Sequence, residues 1–382
     1  MSCTLPGVNV LVDYRPALKA RTGVGEYVHE LLVALDAHLR PGDELHLFTA
    51  SLRDRLDPSV RAELSRTHVH DLPVPGQLLH WGWHRFQLPA VERLVGASPD
   101  LVHSSHPLLI PTRSAAQAIT IHDLDFLEHP ESTTAEIRRD YPRFARDHAQ
   151  RAGAILTSSQ HTADAIAERL EVTAERVTVC PAGPPRWTAG PRHQPRRADG
   201  YILFVGTLTP RKNLGTLLDA YERLVIGRAD VPPLKVAGAE TPAAKPWLER
   251  IGRPPLANRV EYVGYVPDGD RRALFEGASV LVLPSWNEGF GLPVLEAMAL
   301  GVPVVASDRG ALPEVLGGAG VLIDPGSADG LADALERVLS DTALASACVA
   351  AGLDRSSAWS WTAAAERVRT MYETAIARHR EG

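Results

Sequence analysis

Leu281–Asp308, LVLPSWNEGFGLPVLEAMALGVPVVASD, decides how this chain folds. Its leading apolar run, Ser279–Pro284, is nearly continuous rather than alternating, the pattern of a parallel strand buried on both faces. A loop carrying Gly289 and Gly291 follows, and Pro293 suits the first turn of a helix, where a missing N–H leaves no bond unmade. The helix should stop near Gly301, and VPVVAS restarts as a strand. The stretch therefore reads as one βαβ unit with a glycine loop at the carboxyl end of a strand, where open α/β sheets bind ligands. Backbone N–H groups around Gly291–Val294 would face an anion at the helix N-terminus. Glu288 in the loop and Glu296, about one turn into the helix, bracket that point. Carboxylates are poor phosphate ligands but suit hydroxyls, so the pattern asks for a ligand with both a phosphate and a sugar.

The same alternation extends on both sides. Upstream, YILFVGTL is a strand, and Thr209-Pro-Arg-Lys-Asn213 precedes a periodic helix with Leu214, Leu217, Leu218, Tyr221, Leu224 and Val225 on one side. Asn213 is expected to cap that helix. Arg211 and Lys212 then sit at a strand end beside a helix N-terminus, two cations where a diphosphate would lie; an exposed loop pair is the plainer alternative. LKVAGAE and RVEYVGYV supply strands between, while GAGVLIDP, SADGLADALERVLSD and the helix Trp361–Arg378 continue to the end of the chain.

In the first half, Val8–Asp13 reads as a strand, followed by a glycine loop at Gly23 and Gly25 and an amphipathic helix. Gly23-x-Gly25 could be taken for a dinucleotide fingerprint. Val28 occupies the place of the third glycine, however, and no acid ends the following strand ELHLF, which argues against a dehydrogenase. Further strands are predicted at Leu45–Thr49, His68–Leu72, Leu101–His103 and Ala118–His122. His103, His106, His122, Asp123 and Asp125 could be gathered round a metal, but they lack a regular ligand spacing. Residues 136–152 read as a basic helix interrupted by Pro142. Its arginines, among them Arg138, Arg139, Arg143 and Arg146, make either a solvated face or a contact for an anionic acceptor or membrane surface. Pro184–Gly200 is rich in Pro, Gly and Arg and reads as a linker.

Composition sets the bounds. A chain of 382 residues suits two domains, each with its own core. Its net charge of −6 carries no nucleic-acid signature. Arginine outnumbers lysine 36 to 4, so arginine abundance by itself says little about phosphate binding. Cys3, Cys180 and Cys348 show neither metal spacing nor a disulfide pattern, which points to a reducing compartment. No signal peptide is evident and no apolar run approaches the roughly 18 residues of a membrane helix. A cytoplasmic protein is expected, with peripheral contact at the inner membrane face as an alternative.

Glu288-Gly-Phe-Gly-Leu-Pro-Val-Leu-Glu296 resembles the E-x7-E signature of retaining, nucleotide-sugar-dependent glycosyltransferases of family four. The resemblance covers nearly the whole chain, and the Arg211-Lys212 segment matches the family's donor-phosphate motif. It implies the GT-B fold, two Rossmann-like domains facing a central cleft. Residues 1–185, joined by the terminal helix 361–382, would bind the acceptor; 186–200 would be the linker; 201–360 would bind the donor. It places His122 at the active centre, where the plain reading is a hydrogen-bonded loop histidine, and lets Gly23 and Gly25 approach the donor diphosphate. It assigns Gly206, Arg211, Lys212, Val266, Gly289, Phe290, Gly291 and Leu292 to the donor, Glu288 to sugar hydroxyls and Glu296 to the ribose. It also implies front-face transfer with no cofactor and no metal.

GTLTPRKN and TIHDLDFL look closest to a mannosyltransferase-like branch acting in bacterial polysaccharide or glycoconjugate assembly. That suggests mannose from GDP-mannose, or alternatively a UDP-sugar, moved to a glycan, lipid-linked or small-molecule acceptor. The rivals of another class are a nucleotide-sugar epimerase and a non-catalytic nucleotide-sugar-binding protein. An epimerase needs acids and histidines placed for proton abstraction. A mere binding protein should have lost the cationic pair or a motif glutamate, and all are present.

Overall fold

The computed structural model describes residues 7–18, 21, 23–130, 133, 135–189 and 200–381. The chain divides into two compact units. One runs to Ala182 and takes in the chain again from Ser360; the other is Gly183–Trp359. The Pro-rich stretch expected as a linker lies largely outside the described residues. Its described start, Arg186–Thr188, is a 3₁₀ turn belonging to the second unit.

The first unit's sheet is built from β1 (Asn9–Asp13), β2 (Glu44–Ala50), β3 (His68–Leu72), β4 (Leu101–Ser104), β5 (Ala116–Thr120), β6 (Ala154–Thr157) and β7 (Val177–Val179). Its order is β3-β2-β1-β4-β5-β6-β7. The second unit contains β8 (Tyr201–Val205), β9 (Leu234–Ala237), β10 (Val260–Gly264), β11 (Ala278–Leu283), β12 (Val304–Ser307) and β13 (Val321–Ile323), in the order β10-β9-β8-β11-β12-β13. Every paired neighbour is parallel, so each strand must cross over through a connection that covers a face of the sheet. That is why β11 is buried along its whole length and reads as an unbroken apolar run. Both units reverse strand order beside their first strand, as Rossmann-like sheets do. The switch points fall between β1 and β4 and between β8 and β11. Loops after those strands are where ligand-binding side chains can converge.

In the second unit, Phe204, Val236, Val280 and Val282 pack under Leu217, Leu218 and Tyr221 of the helix Leu214–Val225 and Leu335 of the helix Ala328–Ser340. In the first, Leu11, Phe48 and Val102 meet Trp83 of the helix Gly76–Phe86. The terminal helix Trp361–Glu381 lies on the first unit. There Tyr372 OH bonds His103 Nδ1 at 2.7 Å, and the rings of Trp361 and Tyr27 meet edge to face. Among the described residues no helix is long and apolar enough to cross a membrane.

Three local expectations change. Gly23 opens the helix Gly23–Ala37, so Gly23 and Gly25 occupy a helical first turn rather than a loop. A Cβ on Gly25 would lie 3.0 Å from the Pro16 carbonyl oxygen, so glycine there lets the helix press against the turn Arg15–Ala17. The helix Ala135–Arg151 runs through Pro142 without a break. Proline deletes one helical bond on the exposed side, while Ala145 and Ala149 hold the opposite side in the core. Asn213 has φ +58° and its side chain caps no backbone N–H of the following helix. It donates instead to the carbonyls of Pro284 (3.0 Å) and Pro325 (2.8 Å), tying together loops that sequence distance keeps apart.

Candidate active site

The second unit's switch point gathers most of the expected site. Arg211 and Lys212 share the 3₁₀ turn Pro210–Lys212 after β8, and the Lys212 methylenes run over Gly206. Glu288 follows β11 and is buried. The Lys212 ammonium donates to Glu288 Oε1 at 2.5 Å, Arg211 Nη1 to Oε2 at 3.1 Å, and Ser285 Oγ to Oε1 at 2.7 Å. Burial pushes the Glu288 carboxyl up, but Lys212 and Arg211 outweigh it and hold the group down at about 2. The two loops are also stitched by backbone. Trp286 N–H donates to the Arg211 carbonyl (2.8 Å), and Arg211 Nη1 to that of Asn287 (2.6 Å).

Gly310, with φ +61°, braces the other side: a Cβ there would stand 2.6 Å from Glu288 N. It was missed because nothing local to the RGALP stretch marks it. Ser285 was missed as well, although its place three residues before Glu288 was the available signal.

Glu296 is fully buried on the helix Leu292–Ala299. Its Oε1 is paired with Arg271 Nη2, whereas Oε2 is buried with no hydrogen-bond partner. Burial raises the carboxyl above its ordinary value, Arg271 pulls it back and Asp268 adds to the rise. Arg271 comes from the helix Asp268–Glu276, which begins just after Val266, and its guanidinium lies 5.4 Å from the Trp187 ring centroid. Sequence reading did not pick out Arg271, since no local pattern ties it to a carboxylate 25 positions later. A buried carboxylate with one oxygen fixed and the other open keeps the capacity to accept one further hydrogen bond.

The glycine loop is used differently from the expectation. Val294 N–H bonds to the Gly291 carbonyl at 2.9 Å and Pro293 has no N–H, so the stretch of amides expected to face an anion narrows to those before Pro293. The Phe290 ring packs on Trp359, 5.6 Å between centroids, and Leu292 is buried. Their side chains anchor the loop, and backbone is what Gly289–Leu292 can present.

The remaining residues belong to the first unit. His122 lies two residues beyond β5, its ring meeting Tyr27 edge to face at 5.4 Å. Its Nε2 is buried without a hydrogen-bond partner. Burial lowers its pKa to about 4, so the ring is neutral near pH 7. At this unit's own switch point Asp13 is fully buried, held by Arg15 at 2.7 Å and by His106 Nε2 at 3.3 Å. Burial opposes its ionisation, yet Arg15 and His106 keep it far below the usual carboxylate range. Asp13 and Arg15 were not singled out from sequence.

The five-residue metal grouping is dispersed, since His103 bonds Tyr372 and Thr120 while His106 faces Asp13. Among the described residues the set with ligand atoms within 4.8 Å of one another is Asp125, Glu128 and His129, where Glu128 also pairs with Arg169.

The sequence and the fold have counterparts in known proteins. The family model for glycosyl transferases group 1 matches residues 199–341, and that for the glycosyl transferase 4-like domain matches 22–183. The chain belongs to the group 1 glycosyl transferases. This glycosyltransferase is similar to O-antigen chain mannosyltransferase B of Escherichia coli, with 29% identity over 373 residues, 93% of this chain and 96% of that one. In fold it resembles sucrose-phosphate synthase from Thermosynechococcus elongatus (TM-score 0.76, 22% identity, 97% and 99% of the two chains). It also resembles Anabaena HepE in complex with UDP-glucose (TM-score 0.69, 19% identity, 95% and 98%). The glycosyltransferase thus has the GT-B fold, with a Rossmann-like sheet in each unit.

Proposed function

We propose that this glycosyltransferase moves mannose from GDP-mannose, with retention of configuration, to a glycan or lipid-linked acceptor in bacterial polysaccharide or glycoconjugate assembly. The observation that carries the reading is the Arg211–Lys212–Glu288 cluster at a switch point, with the open oxygen of Glu296 on the adjoining helix. The similarity to an O-antigen mannosyltransferase over nearly the full chain supports mannose. Free, buried Cys180 and Cys348 support a reducing, cytoplasmic setting.

In the proposed reaction the bond between the anomeric carbon and the diphosphate oxygen breaks as the acceptor oxygen bonds to the same face of that carbon. The acceptor proton passes to the departing phosphate. Negative charge grows on the leaving group, and Arg211 and Lys212 are already oriented, so little reorganisation is needed as that charge develops. Glu288 acts as their internal counter-charge and keeps acceptor capacity for a sugar hydroxyl. Glu296 Oε2 takes a ribose hydroxyl. His122, uncharged near pH 7, offers Nε2 to a substrate hydroxyl. Two fixed cations make a metal's charge redundant on the diphosphate.

The test is a donor panel of GDP-mannose and UDP-hexoses, each with and without glycan acceptors, followed by nucleoside diphosphate release and product analysis. Acceptor-dependent GDP release is expected. Faster turnover of a UDP-sugar would reject GDP-mannose as donor. A changed sugar with no released nucleotide would indicate an epimerase, and binding without turnover of any donor a non-catalytic protein.

A further inference from the structure

Trp286 lies in the loop after β11, two residues before Glu288, and its indole is 47% exposed. The loop that carries it is nonetheless fixed on several sides. Trp286 N–H donates to the Arg211 carbonyl at 2.8 Å. Ser307 Oγ holds the Ser285 carbonyl at 2.6 Å, and Asn213 joins the carbonyls of Pro284 and Pro325. Asp308 N–H completes the tie by donating to the Ile323 carbonyl at 2.8 Å. The loops after β11, β12 and β13 thus form one connected edge, at the carboxyl ends where α/β sheets gather ligands.

Gly326, in the last of these loops, leaves a corner open. A Cβ there would stand 3.6 Å from Trp286 Cη2, 3.6 Å from Asp324 Oδ1 and 3.8 Å from Oδ2, so the indole and the carboxylate wall the same small space. Oδ1 accepts from Gly326 N–H at 3.1 Å and from Arg309 Nη2 at 3.3 Å, and Arg309 Nη1 donates to Asp308 Oδ1 at 2.6 Å. None of these bonds uses Asp324 Oδ2. A single exposed aromatic side chain is ordinary on a protein surface. This one is tethered at its backbone and set against an ordered row of acid, arginine and acid.

The chemistry of the corner selects its ligand. Two carboxylates to one guanidinium disfavour a phosphate, which separates this corner from the cationic Arg211-Lys212 turn beside it. A pyranose carries C–H groups on one face and hydroxyls round its rim. The face can cover an indole while the hydroxyls donate to a carboxylate and accept from a guanidinium. Gly326 follows β13, two strands or roughly 10 Å along the sheet from β11, so a ring held there is not the ring held at Glu288. We propose that Trp286, Arg309 and Asp324 form a subsite for a neutral pyranose of the acceptor, next to but distinct from the ring that receives the new bond. The inference rests on the reading that the acceptor is a glycan.

Initial rates are measured with the donor that turns over fastest, against α-mannotriose and against methyl α-mannoside. Trp286→Ala should raise KM for mannotriose at least about tenfold, and Trp286→Tyr should restore most of the loss. KM for methyl α-mannoside should change far less. Gly326→Leu fills the corner from its other side, at a φ outside the left-handed region, and should give the same rise. Its affinity for nucleoside diphosphate, by calorimetry, should match wild type, which also shows that it folds. An unchanged mannotriose KM in both Trp286→Ala and Gly326→Leu overturns the subsite and leaves the glycan reading intact. Equal losses for the two acceptors overturn it as well, since they put the defect at the reacting ring. A wild-type enzyme that transfers to neither sugar but does transfer to a lipid-linked acceptor overturns the glycan reading and the subsite with it.

Discussion

Replacing Glu288 by glutamine separates the electrostatics of the site from its shape. In the native chain the carboxyl is buried yet held at about 2, against an ordinary value of 4.5, because Lys212 and Arg211 lie on its two oxygens. Each tenfold change in proton affinity corresponds to about 1.4 kcal/mol, so keeping Glu288 ionised contributes on the order of 3 kcal/mol at neutral pH. The folded-state value is depressed. The contribution is therefore complete above 4.5 and lost as pH falls toward 2. An amide in its place does not titrate, so the stability difference between wild type and Glu288→Gln should be largest near pH ~7 and shrink by roughly half near pH ~3.

Urea unfolding of both proteins at several pH values measures it, read on the transition that includes the second unit. The same variant should bind free nucleoside diphosphate at least as tightly as wild type, since the cations lose their internal competitor, while turnover falls by about 10²-fold. A stability difference that does not change with pH would refute the clamp. Weaker diphosphate binding would refute the competition.

Arg211→Ala and Lys212→Ala should each lower kcat/KM by roughly 10²-fold, because charge-assisted contacts strengthen as the leaving group departs; unchanged turnover in both would remove them from the donor site. Arg271→Leu leaves Glu296 buried without its ion partner and so raises its proton affinity further. Calorimetry should show weaker nucleoside diphosphate binding, with a larger loss at pH ~6 than at pH ~8, and an equal loss at both would argue that Arg271 does not act through Glu296. Activity should survive excess chelator and NMR of the product from an α-linked donor should show an α-glycoside. Rescue of a chelated enzyme by Mg²⁺ or Mn²⁺, or a β-linked product, would contradict one or other half of that expectation.

Local pattern was enough for much of this molecule. The unbroken apolar run before Pro284, the proline after Gly291 and the restart at Val302 specify a βαβ unit, because burial on both faces and backbone stereochemistry act over a few residues. The Glu288–Glu296 spacing and the Arg211-Lys212 pair were legible for the same reason, each lying at the junction of a strand and a helix. Which groups face one another was not.

Lys212 meets Glu288 across 76 positions, and Asp13 lies with His106 although three strands and several helices separate them in sequence. Only the parallel strand order, which places β8 beside β11 and β1 beside β4, brings those carboxyl ends together. Arg271 on Glu296, Phe290 turned onto Trp359 and Trp286 set beside Asp324 are likewise packing outcomes. Periodicity states which residues prefer burial. The neighbour that buries them, and the oxygen left open once it has, follow from how sheets and helices close round one another.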